Sequence, residues 1–492
     1  MGIVQRVCPS ARAGILYIYA VSACVLLLVT VAYMSYGKSP SAHILRAALR
    51  ASYATRINSI FESAAKLHTK PWAKLATLAD DFGSRLSGSQ GLDDAIDWTA
   101  REMRADGLDS VELINVTVPV WRRGSRSASY ASLISPRHAD LAVMALGGSV
   151  PTPGPGEALE AEAVVVSSYG ELRTMGAIGS ADGKIVVLDA AWVSYDENYE
   201  YRSRAAVEAA RVGAVAVLVR SLTPHSIYSV HTGGMHYEPG VVQIPAGAIT
   251  TEDADMLRRM QDRGHVLSLA LALNCSVGPP APSANVVAEL TGRTHPEQVV
   301  LLGAHIDAWD VGTGAMDDGG GVVAVWHALS LLHSLGLRPA RTIRVVLFTN
   351  EENGLAGGQA YAEHYASELG NHVLAIESDS GVFDPRGFYA AGGSSETAAA
   401  LSAVATLLSH PPTHVDARAM TSALETGADI SPLLAAGVPT LELQADGGVY
   451  FDYHHTRADT ADKIDPVELN RCIGVLAAMA YVVADMPETL PR

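Results

Sequence analysis

The sequence predicts an α/β protein, a mixed sheet flanked by helices with a second, β-rich domain inserted into it. Past residue 283, apolar strand-like runs alternate with helical stretches, the pattern of a sheet covered on both faces. Two proline-rich clusters, at 151–156 and 278–282, bracket a domain-sized block that reads mostly as strands. The 492 residues suffice for about three domains of ordinary size, and the 48% apolar fraction is that of a globular chain, which excludes disorder and collagen.

The first element is an apolar leader within residues 1–40. No charge occurs from Ala13 to Gly37, and about 20 such residues cross a bilayer core. Residues 13–36 therefore read as a membrane anchor or a signal peptide, and either delivers the rest to the secretory pathway. The sequons Asn115-Val116-Thr117 and Asn274-Cys275-Ser276 agree with that destination. Outside the leader only Cys275 and Cys472 remain, which is no disulfide framework; whether they pair is open.

Residues 41–154 form the first part of the main domain. Helices are expected at 42–66, 71–80 and 91–106, then strands at 111–121 and 139–146. The inserted block, 155–282, carries strand patterns at 161–167, 184–189, 214–219, 244–249 and 267–273, with a helix at 251–262. In the last part, 283–492, buried strands are expected at 285–290, 298–304, 342–349, 372–378 and 440–444. Helices fall between them at about 319–336, 355–369 and 395–409. The final helix opens with Asp465 as N-cap and Pro466 at its first position, and its apolar run 472–484 reads as core.

The formal net charge of −17 argues against a nucleic-acid partner, which needs a basic surface. In open α/β sheets ligands bind beyond the carboxyl ends of the strands. There the chain places His305 and Asp307, then Asp317 and Asp318, then Glu351 and Glu352, then Asp379, and finally His454 and His455 in an adjoining loop. Taken singly, an acid beside glycine is a turn and paired acids are solvated. Together, at successive strand ends of a charge-poor chain, they suit zinc bound by nitrogen and oxygen. One carboxylate bridging two ions would make a two-metal site, with adjacent acids dividing the roles of ligand and proton acceptor. Asp307, on the same side of an extended segment as His305, can orient that imidazole. No H-E-x-x-H, G-x-S-x-G or P-loop pattern occurs.

At these residues the sequence resembles the co-catalytic zinc exopeptidases of the M28 (aminopeptidase Y-like) family. The matching segments are GAHIDAWDVGTGAMDDGGG (303–321), FTNEENGLAGG (348–358), ESDSG (377–381), HHTRADT (454–460) and GSRLSGS (83–89). The resemblance implies the family's zinc-exopeptidase, phosphorylase/hydrolase-like fold, with a protease-associated domain at 155–282. It implies two zinc ions, His305 and Asp379 on one, Glu352 and His455 on the other, and Asp317 bridging. It makes Glu351 the general base and Asp307 the residue that orients His305. His454 stands where the family usually has tyrosine, and could bond the tetrahedral intermediate. A cis Asp317–Asp318 peptide, a homodimer and a removed propeptide within 38–66 are implied as well. The substrates implied are short peptides, dipeptides with a free amino terminus foremost, with aminopeptidase action on longer peptides as the alternative. Receptors of this fold without peptidase activity lack an intact metal set, and glutaminyl-cyclase-like acyl transferases share a related fold. The complete set of ligand positions here separates the chain from the first, and the His305/Asp379 half-site favours hydrolysis over the second.

Overall fold

The computed structural model describes residues 42–124, 129–154, 157–225 and 227–491. The apolar leader lies outside the described residues. Two eight-stranded sheets organise the rest.

The larger sheet is built from β1 (Ser110–Arg122), β2 (Ser276–Leu290), β3 (His295–His305), β4 (Arg341–Phe348), β5 (His372–Glu377), β6 (Pro385–Ala391), β7 (Ala419–Ser422) and β8 (Thr440–Ala445), in the order β1-β2-β4-β3-β5-β8-β6-β7. Strands β4, β3, β5 and β8 run parallel, so their carboxyl ends share one edge. Every residue of β4 and β5 is buried, as expected where helices cover both faces. Alternation then divides the side chains: Val300, Leu302 and Ala304 enter the larger core, while Leu301, Val346 and Phe348 face a smaller one with Tyr361 and Tyr365.

The larger core is closed by α1 (Ala42–Ala65), α2 (Lys70–Asp80), α3 (Gln90–Ala105), α4 (Gly320–Ser334), α6 (Ser395–Ala405) and α7 (Pro466–Asp485), and the smaller by α5 (Ala356–His364). Helix α1, expected within a removable propeptide, contributes Tyr53, Ile57, Ile60 and Phe61 to the core. Asp465 caps α7 by accepting the Val467 N–H at 2.6 Å. Helix α7 is long and apolar enough to cross a membrane, yet it is mostly buried between α1 and α4, which makes it a core helix.

The smaller sheet runs Ala139–Leu141, Tyr130–Ser135, Leu267–Ala272, Leu159–Val166, Ile185–Leu188, Ala216–Arg220, Ala246–Ile249, Val143–Ala145. It therefore begins upstream of residue 155, because the strands on either side of 140 pair with those at 267–272 and 246–249. The second proline cluster is not a joint either. It lies inside β2, over residues 276–284 that pair with β1 alone, where proline's missing N–H leaves no neighbour unsatisfied. Helices at Tyr195–Ser203 and Ala205–Ala210, and strands β6 and β7, lack the periodicity that would announce them in the sequence. The expected helix at 355–369 stops at His364.

Candidate metal centre

Each strand end delivers what the sequence places there. His305 closes β3, and its Nε2 lies 3.2 Å from Asp317 Oδ1 and 3.1 Å from Asp379 Oδ1, beyond the end of β5. Past β8, His455 Nε2 lies 3.1 Å from Asp317 Oδ2 and 3.1 Å from Glu352 Oε2. Asp317 thus turns one oxygen to each half of the cluster. The Asp317–Asp318 peptide is cis.

Support comes from residues around the cluster. Asp318 accepts the N–H of His305 at 3.2 Å and of Gly321 at 3.0 Å. Asp459 accepts those of Met316 and Asp317 at 2.6 and 3.2 Å, and so fixes the loop that carries Asp317. Arg85, fully buried, donates to the carbonyls of Ile306, Thr313 and Gly314 at 2.8, 2.6 and 2.8 Å, tying the two loops together. Glu352 Oε1 accepts the Trp309 N–H at 3.1 Å.

Asp307 acts differently from the expectation. His305 Nδ1 is 3.1 Å from the main-chain carbonyl of Asp307 and 3.8 Å from its carboxylate. The carboxylate is occupied by the N–H groups of Glu351 and Glu352 instead. The residue touches His305 chiefly through its backbone carbonyl, with the carboxylate at ion-pair distance behind it. His454 stacks on His455 with ring centroids 3.6 Å apart, and its Nε2 stands 3.6 Å from Asp317 Oδ2. Burial, reinforced by His455, pushes the His454 imidazole well below its usual value and keeps it neutral.

The residues present fit zinc. Burial pushes Glu351 and Glu352 well above the carboxylate range, and neighbouring acids add to that push. Burial, with the charge of Asp317, also raises Asp459 to about 7. Such crowding of acids is what a dication relieves. Asp317 Oδ2 is buried without a hydrogen-bond donor. Donor atoms about 2.1 Å from one tetrahedral zinc stand roughly 3.4 Å apart, close to the spacings found here. Potential ligand triads are His305/Asp317/Glu352, His305/Asp318/Asp379 and Asp317/His454/His455.

Sequence reasoning assigned no role in the site to Asp459, Arg85 or the second body, the one built around the smaller sheet. Asp459 and Arg85 lie within segments that carry the resemblance, so their signal was present but had no role attached. Thr232, which holds His455 from the second body, lies in SIYSVHTGG (226–234), a further segment that carries the resemblance, again with no role attached. Cys275 and Cys472 are buried, free thiols.

A model of peptidase family M28 matches residues 285–480. Carboxypeptidase Q of Xenopus laevis is 44% identical over 443 residues, covering 90% of this chain and 92% of that protein. Carboxypeptidase Q of Homo sapiens is 42% identical over 429 residues, covering 87% and 88%. Among solved structures, the peptidase M28 precursor from Shewanella amazonensis SB2B superposes with a TM-score of 0.83 at 37% identity, covering 89% of this chain and 99% of that one. Fold, donor set and relatives together define a metallo-exopeptidase. The chain belongs to peptidase family M28.

Proposed function

We propose that this protein is a two-zinc exopeptidase that hydrolyses short peptides, above all dipeptides with free amino termini. The observation that carries the reading is the two-sided placement of Asp317, one oxygen toward His305 and the other toward His455. His305 and Asp379 would hold one ion, Glu352 and His455 the other, with Asp317 between them. The name of the carboxypeptidase Q relatives supports peptide substrates attacked at a terminus. In a dipeptide, carboxypeptidase and dipeptidase action coincide.

When bound, the two ions supply Lewis acidity, polarising the scissile carbonyl and making a water more acidic. The chain's own residues do the rest. Glu351 accepts the proton of the attacking water as its oxygen bonds to the carbonyl carbon. His454 donates a hydrogen bond toward the carbonyl oxygen as charge develops there. When the C–N bond breaks, Glu351 returns the proton to the departing amine. Asp307 holds Glu351 and Glu352 in register from behind.

We also read the block around the smaller sheet as a protease-associated domain. The leader brings the chain into the secretory pathway, where Asn115 and Asn274, both exposed, are glycosylation sites. Two copies form a homodimer. The deciding experiment combines elemental analysis with a panel of free, N-blocked and C-amidated di- and tripeptides, with and without a chelator. Two zinc ions per chain and chelator-sensitive cleavage of free dipeptides are expected. Preferential cleavage of longer peptides would favour the aminopeptidase alternative. A metal-loaded protein without turnover, or one that forms pyroglutamate, would overturn the reading.

A further inference from the structure

The second body reaches into the metal centre, most directly through the short segment around Thr232. Thr232 donates its N–H to the carbonyl of His455 at 3.0 Å, and its own carbonyl lies 3.1 Å from His455 Nδ1. One residue therefore grips both the backbone and the ring of a candidate ligand. The grip matters because His455 sits at a φ of +60°, a backbone conformation that a β-substituted residue adopts at a cost. The segment is itself anchored in the smaller sheet's body: Thr232 Oγ1 donates to Ala145, and Gly147 exchanges hydrogen bonds with Gly233 and Met235.

Behind Thr232 lies Arg202, 3% exposed, at the end of the helix Tyr195–Ser203. Its Nη1 donates to the Thr232 carbonyl at 3.3 Å and stands 3.4 Å from His455 Nδ1. Its Nη2 donates to the Tyr195 hydroxyl at 2.7 Å, and the Tyr195 ring meets His454 edge-on at 5.0 Å. The guanidinium lies against the rings of both Tyr195 and Tyr199, at 5.3 and 5.2 Å. Gly233 makes the passage: a Cβ there would stand 2.2 Å from the guanidinium carbon. Among the described residues no carboxylate lies within ion-pair distance of Arg202. A buried cation whose hydrogen-bond acceptors are a carbonyl and a phenol is costly to keep, so a role in holding those partners is the reading that fits its position.

We propose that Arg202 is a positioning residue through which the second body sets the His455 half of the metal centre; this rests on the two-zinc reading above. The Thr232 carbonyl accepts a hydrogen bond from Nδ1–H, which leaves the Nε2 lone pair facing Asp317 and Glu352. Arg202 fixes where that carbonyl points. The second body is therefore a working wall of the site, and loss of the guanidinium loosens one metal position while sparing the other.

The test measures both zinc affinities of the full chain by competition with a chromophoric chelator, in wild type, Arg202→Met, Arg202→Lys, Gly233→Ala and His455→Ala. In Arg202→Met one zinc is expected to weaken by about 10–100-fold, as for other partners that orient a ligand, while the second stays near its wild-type affinity. Gly233→Ala, which displaces the guanidinium without removing it, should weaken the same zinc. Arg202→Lys, a point charge without the fork, should fall between. Adding Arg202→Met to His455→Ala should change nothing further. Unchanged affinities in both Arg202→Met and Gly233→Ala would overturn the proposal. So would equal weakening of both ions together with a lower melting temperature of the zinc-free protein, the signature of a merely structural role. If wild type itself binds fewer than two zinc ions, the two-zinc reading fails first, and with it the premise.

Discussion

The carboxylate of Asp307 accepts the backbone N–H of Glu351 at 3.0 Å, and its other oxygen accepts that of Glu352 at 3.3 Å. A single side chain beyond β3 thus sets the backbone of the loop beyond β4. The proposed base and its neighbouring ligand are held as a pair. Asp307→Asn keeps the volume but turns an amino group toward an amide donor. Zinc affinity and kcat/KM should each fall by about 10–100-fold. Equal values for the variant and wild type in chelator competition and dipeptide turnover would contradict this coupling.

Much of the site was legible because of where charge falls in an apolar sequence. His305, Asp317, Glu352, Asp379 and His455 follow buried strands, and parallel strands of one sheet bring their ends together without any further information. The carboxylate of Asp307 was read only in part, because sequence proximity to His305 pointed to a partner two residues away and not to the amides it also accepts. Those hydrogen-bond partners, the Glu351 and Glu352 amides, are separated from it by α4 and all of β4. The roles of Arg202 and Thr232 were not legible for a similar reason, since the smaller sheet meets His455 across more than two hundred residues of chain. The proline cluster at 278–282 misled because proline tolerance depends on whether a strand has one neighbour or two, which only the pairing reveals.

Asp459 offers a test of the loop that carries the bridging residue. Its carboxyl group accepts the N–H groups of Met316 and Asp317 and is buried beside them. Asp459→Ala leaves both donors without a partner, at about 1–3 kcal/mol for each. Urea unfolding of the metal-free variant should show that loss, and the zinc content should fall with it. Full stability with normal zinc would mean that the loop holds itself.

Helix α7 provides a prediction far from the chemistry. Gly474 faces α1, where a Cβ would stand 3.0 Å from the Phe61 ring and 3.2 Å from Ala64 Cβ. Gly474→Val forces the two helices apart and should cost about 1–3 kcal/mol, as overpacked cores do. Thermal unfolding reads the loss. Turnover of the folded, zinc-loaded variant should match wild type, because α1 and α7 touch none of the metal-binding side chains. A variant as stable as wild type would show that α1 is docked more loosely than its buried Tyr53, Ile57 and Phe61 indicate.

Glu351→Gln separates the proposed base from the ligands. Glu351 makes no contact with His305 or His455 at the distances that bring Glu352 and Asp317 to them, so a neutral amide should leave both zinc positions filled. The amide cannot take a proton from water. Turnover of a free dipeptide should drop by about 10²–10⁴-fold, the range general-base catalysis supplies, with KM changed little. Elemental analysis on the same sample keeps the two effects apart. Near-normal turnover with full zinc would assign the proton to another group, and loss of zinc with activity would make Glu351 a ligand instead.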